Sequence, residues 1–156
     1  EMDIDAATKA IEPILKQVRE GDASTLISLC KKFDGVAPKE LRVPRAELKR
    51  ALKELDPNVK KALEVSILRI KKVHKDQSRK DRKVQVVAGG SVTQRWIPVD
   101  RVGLYVPGGN AVYPSSVIMN VVPAQIAKVK SIAIASPPQK DNNGLPNKTI
   151  LATYSP

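Results

Sequence analysis

The chain reads as an α/β protein, and three observations predict that class. Apolar residues recur three and four positions apart from Ile4 to Val73, the period of helices with one apolar face. From Lys83 the recurrence shortens to two, the period of an extended chain. Two mostly apolar segments of strand length, 102–106 and 131–135, then stand on either side of a Gly-rich loop and another helical pattern. That order is the order of a parallel strand–helix–strand unit.

The elements follow one by one. A first helix is predicted over 4–20, with Ile4, Ala7, Ile11, Ile14, Leu15 and Val18 as its stripe. Pro13 is expected to kink or interrupt it, and Gly21 to end it. Asp22 reads as the N-cap of a second helix whose apolar face carries Leu26, Ile27, Leu29, Cys30 and Phe33. Cys30 is expected there as a small buried hydrophobe rather than a reactive thiol. Val43-Pro44 leads into a third helix through Leu48, Ala51, Leu52 and Leu55. Asp56-Pro57, a capping residue followed by proline at the first helical position, opens a fourth. Val59, Leu63, Ile67, Ile70 and Val73 form its stripe, with His74 at the edge.

Val84 and Val86, then Gly89-Gly90, then Val92, Gln94 and Trp96 predict a hairpin. Residues 96–99 continue it in extended form, and Pro98 restricts that stretch to an edge or an end. Residues 102–106 and 131–135 predict strands buried in a parallel sheet. Between them, 115–128 predicts a helix in which Pro123 removes one hydrogen bond. Residues 137–146 form a loop, and 148–154 begin another helix. Two parallel strands with an unfinished helix leave apolar surface uncovered, so further residues beyond 156 are expected. The natural division lies between 1–98, helices plus hairpin, and 99–156.

Composition narrows the function classes. Hydrophobic residues make up 42% of the chain and aromatics only 3%, so aliphatic side chains must fill the core. No apolar run approaches the roughly 18 residues of a membrane span. The start, Glu1-Met2-Asp3-Ile4-Asp5, lacks the basic and apolar regions of a signal peptide. Cys30 is the sole cysteine, which excludes an internal disulfide and an all-cysteine zinc site within one chain. A cytoplasmic protein is expected. The net charge of +11 is densest over 69–83, where Arg69, Lys71, Lys72, Lys75, Arg79, Lys80, Arg82 and Lys83 fall. A solvated helix end is preferred there to a nucleic-acid surface. Asp76 and Asp81 interrupt the run, and no aromatic lies close in sequence to stack on bases. His74 has no partner at metal-ligand spacing.

The informative stretch is Val102-Gly103-Leu104-Tyr105-Val106-Pro107-Gly108-Gly109 and the helix after it. Glycines after a strand let the backbone approach a ligand with no Cβ in the way. A crevice at the carboxyl end of the strand is where an open α/β sheet binds its ligand. The glycine spacing is neither a dinucleotide fingerprint nor a P-loop.

As a longer string, Asp100 to Gly109 followed by Tyr113-Pro114-Ser115-Ser116 and Met119-Asn120-Val121-Val122-Pro123-Ala124 resembles the signature of histidinol dehydrogenases. Lys31-Lys32-Phe33-Asp34-Gly35-Val36 and Ala135-Ser136-Pro137-Pro138 are similar to further segments of that family in order and spacing. The resemblance implies a Rossmann-like second part and a zinc- and NAD-dependent oxidation of L-histidinol to L-histidine, with two NAD molecules used in succession. It implies that Tyr105 contacts NAD and that Gly108 and Gly109 form the adjacent wall. It also implies a homodimer with intertwined chains. The family's zinc ligands and its Glu-His acid/base pair lie further along than residue 156. No catalytic or metal residue is therefore assigned to this chain, which has one histidine. Ser155-Pro156 departs from the family's continuation of the last helix. Two other classes stay open: a basic nucleic-acid-binding module over 69–83, and a non-catalytic self-association module.

Overall fold

A computed structural model describes residues 4–108 and 111–154. Helix α1 spans Ile4–Glu20 without interruption at Pro13, contrary to one expectation, because a proline removes a single hydrogen bond from a stripe five turns long. None of its residues is buried: Ile4, Ile11, Leu15 and Val18 all remain exposed, and α1 touches only α2 (Ala23–Phe33) appreciably. The Asp22 carboxylate caps α2 as expected, accepting from the backbone N–H of Ser24 (2.8 Å) and Thr25 (3.3 Å). Phe33, placed by its spacing on the apolar face, is exposed, with the Lys32 ammonium 5.2 Å from its ring centre. Cys30 is half-buried rather than buried.

Helix α3 is Arg45–Glu54 and α4 is Pro57–Gln77. The Asp56 carboxylate caps α4 through Asn58 N–H (2.8 Å) and Val59 N–H (3.1 Å). Strands β1 (Arg82–Val87) and β2 (Gly90–Gln94) then form the antiparallel hairpin, pairing Val84 with Val92 and Lys83 with Thr93. The turn is Ala88-Gly89, not Gly89-Gly90. Gly89 takes the left-handed conformation (φ +76°) that the tight connection demands, and Gly90 already belongs to the strand. Trp96 does not continue β2. Its N–H is taken by the Asp81 carboxylate at 2.8 Å, which ends the ladder, and 95–99 belongs to no strand.

Strand β3 (Arg101–Tyr105) and strand β4 (Ser131–Ala135) are parallel and in register from Arg101 with Ser131 to Tyr105 with Ala135. Helix α5 (Pro114–Ile126) crosses between them and runs straight through Pro123. It stops two residues short of the predicted end, because Lys128 turns left-handed (φ 64°) and closes the helix. Both strands were expected to be buried on two faces. Instead, Val102, Leu104, Ile132 and Ile134 are half-buried on one face, while Gly103, Tyr105, Ala133 and Ala135 are exposed on the other. Among the described elements α5 contacts both strands, which accounts for the alternation.

The core has two parts. Val106, Val117, Val121 and Ile150 form one, beneath Leu104, Ile132 and Ile134. Ala51 of α3 packs with Leu151 and Ala152 of α6 (Lys148–Tyr154) in the other, with Leu48, Leu52, Leu55 and Leu145 around them. Helix α4 lies on α5 and α3 on α6, so the amino-terminal helices and the βαβ unit pack directly together.

Candidate functional site

The motif residues come together at the carboxyl end of the parallel sheet. Tyr105 is the last residue of β3 and stands opposite Ala135. Its side chain is 64% exposed, on the uncovered face of the sheet. A shallow depression of about 250 Å³ lies there, lined by Gly103, Leu104, Tyr105, Ala133, Ile134 and Ala135. Gly103, Ala133 and Ala135 keep this face low around the Tyr105 ring.

Beyond Tyr105 the chain dives into the core. The Val106 N–H donates to the Ala135 carbonyl at 2.9 Å, which carries the parallel ladder one step past the strand, and the Val106 side chain is fully buried. Pro107 is exposed and Gly108 buried. A Cβ on Gly108 would stand 2.9 Å from Ser136 Oγ, 3.4 Å from Ile150 Cδ1 and 3.6 Å from Pro137 Cδ, so one fits only if the Ser136 side chain shifts. What opposes a side chain here is close packing, not a left-handed backbone. Gly109, the third residue singled out by the motif, lies outside the described residues. Helix α5 begins at Pro114 beside this loop, and Tyr113 at its N-cap makes no side-chain cap bond.

Two residues at this end were not singled out as site residues by sequence. Ser136 follows β4 directly, and its Oγ is buried without a hydrogen-bond partner among the described residues. Gln139 reaches across from the next loop, its side-chain amide donating to the Gly108 carbonyl. The signal that could have found them is positional. In a parallel pair the loops after both strands open onto the same end, so the residues after 135 share the crevice with those after 105.

The basic run of 69–83 looks different in space. Trp96, distant in sequence, lies beside it, and the Arg79 guanidinium sits 5.2 Å from its ring centre. An aromatic is therefore present at the cluster, with one face already covered by an arginine. Among the described residues, the two titrating groups with displaced pKa values, Asp22 and Cys30, both sit on or next to α2. Hydrogen bonds from the Ser24 side chain and from the backbone of Ser24 and Thr25 hold the Asp22 carboxyl below its usual range. Burial, reinforced by the Asp34 charge, pushes the Cys30 thiol up. Among the described residues no group of three or more His, Cys, Asp or Glu is gathered as a metal would require.

Helices packed on a parallel βαβ unit, with a Gly-containing loop and an exposed tyrosine at the strand ends, define an α/β protein of the kind that binds its ligand at the carboxyl edge of the sheet. The comparisons say which. Residues 1–155 match the family model described as histidinol dehydrogenase. The histidinol dehydrogenase of Nocardia farcinica is 58% identical over 151 residues, covering 97% of this chain and 34% of the relative. That of Thermobifida fusca is 56% identical over 152 residues, covering 97% and 35%. The crystal structure of histidinol dehydrogenase from Elizabethkingia anophelis superposes with a TM-score of 0.82 at 27% identity, over 98% of this chain and 34% of that one. The chain belongs to the histidinol dehydrogenase family, and it spans about a third of the length of the relatives it matches.

Proposed function

We propose that the chain is the amino-terminal portion of a histidinol dehydrogenase, an NAD- and zinc-dependent enzyme that oxidises L-histidinol to L-histidine in histidine biosynthesis. The carrying observation is the family match over residues 1–155, with its Tyr105-to-Gly108 segment at the open, carboxyl end of the βαβ unit. In this reading the exposed Tyr105 ring offers a flat face to NAD. Gly108 keeps the loop low enough for the dinucleotide to approach, and Gly109 belongs to the same wall. NAD, when bound, supplies the hydride acceptor. The described residues do not fit a zinc ion, since no cluster of ligating side chains is present among them. In this reading the segment contributes to the NAD side, and the metal and acid/base chemistry belong to the part of the family's length that this chain does not span.

Location in the cytoplasm and pairing into a homodimer are parts of the same proposal. The exposed apolar stripe of α1 supports the latter. The test is enzymatic. The gene product that carries this segment at full length should form two NADH per L-histidinol and lose that activity on chelation. The 156 residues alone should form none. A full-length protein that turns over no histidinol refutes the proposal, and turnover by the segment alone refutes the division of labour.

A further inference from the structure

We infer that Gln139 is a positioning residue for the dinucleotide loop: its side-chain amide holds the Gly108 carbonyl and so fixes the backbone that leaves β3. This rests on the proposal that NAD binds at the ends of β3 and β4.

Gly108 is buried, and its carbonyl needs a partner once water is excluded. Gln139 Nε2 supplies it from a residue 31 positions away. A carbonyl acceptor requires the nitrogen of the amide, not its oxygen, to face it. Without that bond the carbonyl is left unpaired and the backbone after β3 has to shift to find another donor. Engaging it fixes this backbone before the ligand arrives.

The donor is itself held in place. The Gln139 N–H donates to the Leu145 carbonyl (2.9 Å), and its own carbonyl accepts from the Gly144 N–H (2.9 Å) and the Asn142 N–H (3.3 Å). Asn142 is buried, and its side-chain amide donates to the Pro146 carbonyl at 2.6 Å. Gly144 turns left-handed (φ +78°) so close to Pro38 that a Cβ would lie 3.1 Å from its Cα. Leu145 packs into the core between α3 and α6. The loop after β4 is thus tied to both the α3–α6 core and the 37–38 segment, and one side chain leaves it for the Gly108 carbonyl. A surface glutamine making an incidental contact would have none of this anchoring.

The test compares Gln139→Leu, which keeps the bulk and loses the donor, with Gln139→Glu, which keeps the shape and in its ionised form has no proton to give. Both are made in the full-length gene product. Thermal unfolding identifies any variant that fails to fold, and amide exchange over 104–108 reports the loop without cofactor. The expected result is faster exchange over 104–108 in both variants. The Michaelis constant for NAD should rise about tenfold, the most that one hydrogen bond is worth, while that for histidinol stays unchanged. A merely structural role would move both constants, or the unfolding midpoint, together. Unchanged exchange and an unchanged constant for NAD in folded variants overturn the inference while leaving the proposed function intact. A parent protein that neither binds NAD nor oxidises histidinol overturns the proposed function, and the role of Gln139 falls with it.

Discussion

Gly108→Ala is the substitution whose consequence follows most directly from the geometry. The new methyl carbon would lie 2.9 Å from Ser136 Oγ, closer than such atoms approach, with Ile150 Cδ1 at 3.4 Å and Pro137 Cδ at 3.6 Å behind it. Ser136 Oγ is buried and has no partner among the described residues, so it has no solvent to turn into. Overpacking a filled site of this kind costs about 1–3 kcal/mol. Against this, the alanine stiffens the unfolded chain and returns roughly 0.4–1 kcal/mol, because Gly108 does not occupy the left-handed region that would forbid a side chain. The two ranges leave a net of roughly 0–2.6 kcal/mol of destabilisation, centred near 1.3 kcal/mol, which for a chain of this size lowers the thermal midpoint by about 3–5 °C. Circular dichroism melts and urea titrations measure it. Two companions make the experiment decisive. Adding Ser136→Ala removes the atom that is struck and should restore most of the loss, giving a coupling between the two sites. Gly103→Ala, whose Cβ meets nothing within 4 Å, should leave the midpoint unchanged or raise it slightly. A Gly108→Ala protein as stable as its parent, or no recovery on adding Ser136→Ala, refutes the account of a loop closed by contact with β4.

Three further expectations concern the helices. Folding lowers the Asp22 pKa, so its stabilisation is fully present above the ordinary carboxylate value of 3.8 and fades as the pH falls through the lower, folded value. Asp22→Asn caps without titrating and should flatten that part of the acid-side fall in thermal midpoint; parallel profiles for the two proteins would contradict it. Cys30, its thiol pushed up by burial and by Asp34, should react more slowly with a disulfide reagent at neutral pH in the native chain than in urea, and equal rates would count against the environment described. Leu151→Ala empties a buried site between α6 and Ala51 of α3 and should cost about 2–4 kcal/mol in a urea titration, whereas a loss below about 1 kcal/mol would mean that α3 and α6 are not closely packed.

What could be read from the sequence was whatever is written within a few residues. Asp22 and Asp56-Pro57 announce the starts of α2 and α4 because a cap acts on N–H groups two and three positions away. The glycine-containing segment after β3 could be named as a candidate site because strand, loop and helix follow one another directly. The hairpin could be placed, but its turn was misplaced by one residue, since Gly89 and Gly90 are alike in sequence and only the register distinguishes them. Trp96 failed for a tertiary reason: a carboxylate fifteen residues earlier takes the N–H that a strand partner would have used. The run at 131–135 could not reveal that only one face of its strand would be covered, because an apolar composition is the same for one covered face or two.

The same limit explains why the motif marks only part of the proposed site. Tyr105 ends β3 and Gly108 lies on the loop after it, both within the motif, whereas Ser136 and Gln139 enter because β4 lies beside β3 in register. That neighbourhood is a property of the crossover, not of either segment, and nothing between residues 110 and 130 states it locally. A motif of this kind therefore names the half of a crevice that is continuous in the chain. The other half has to be sought after the adjacent strand, where a polar side chain with a buried backbone carbonyl in reach is the feature to look for. Here that side chain is Gln139.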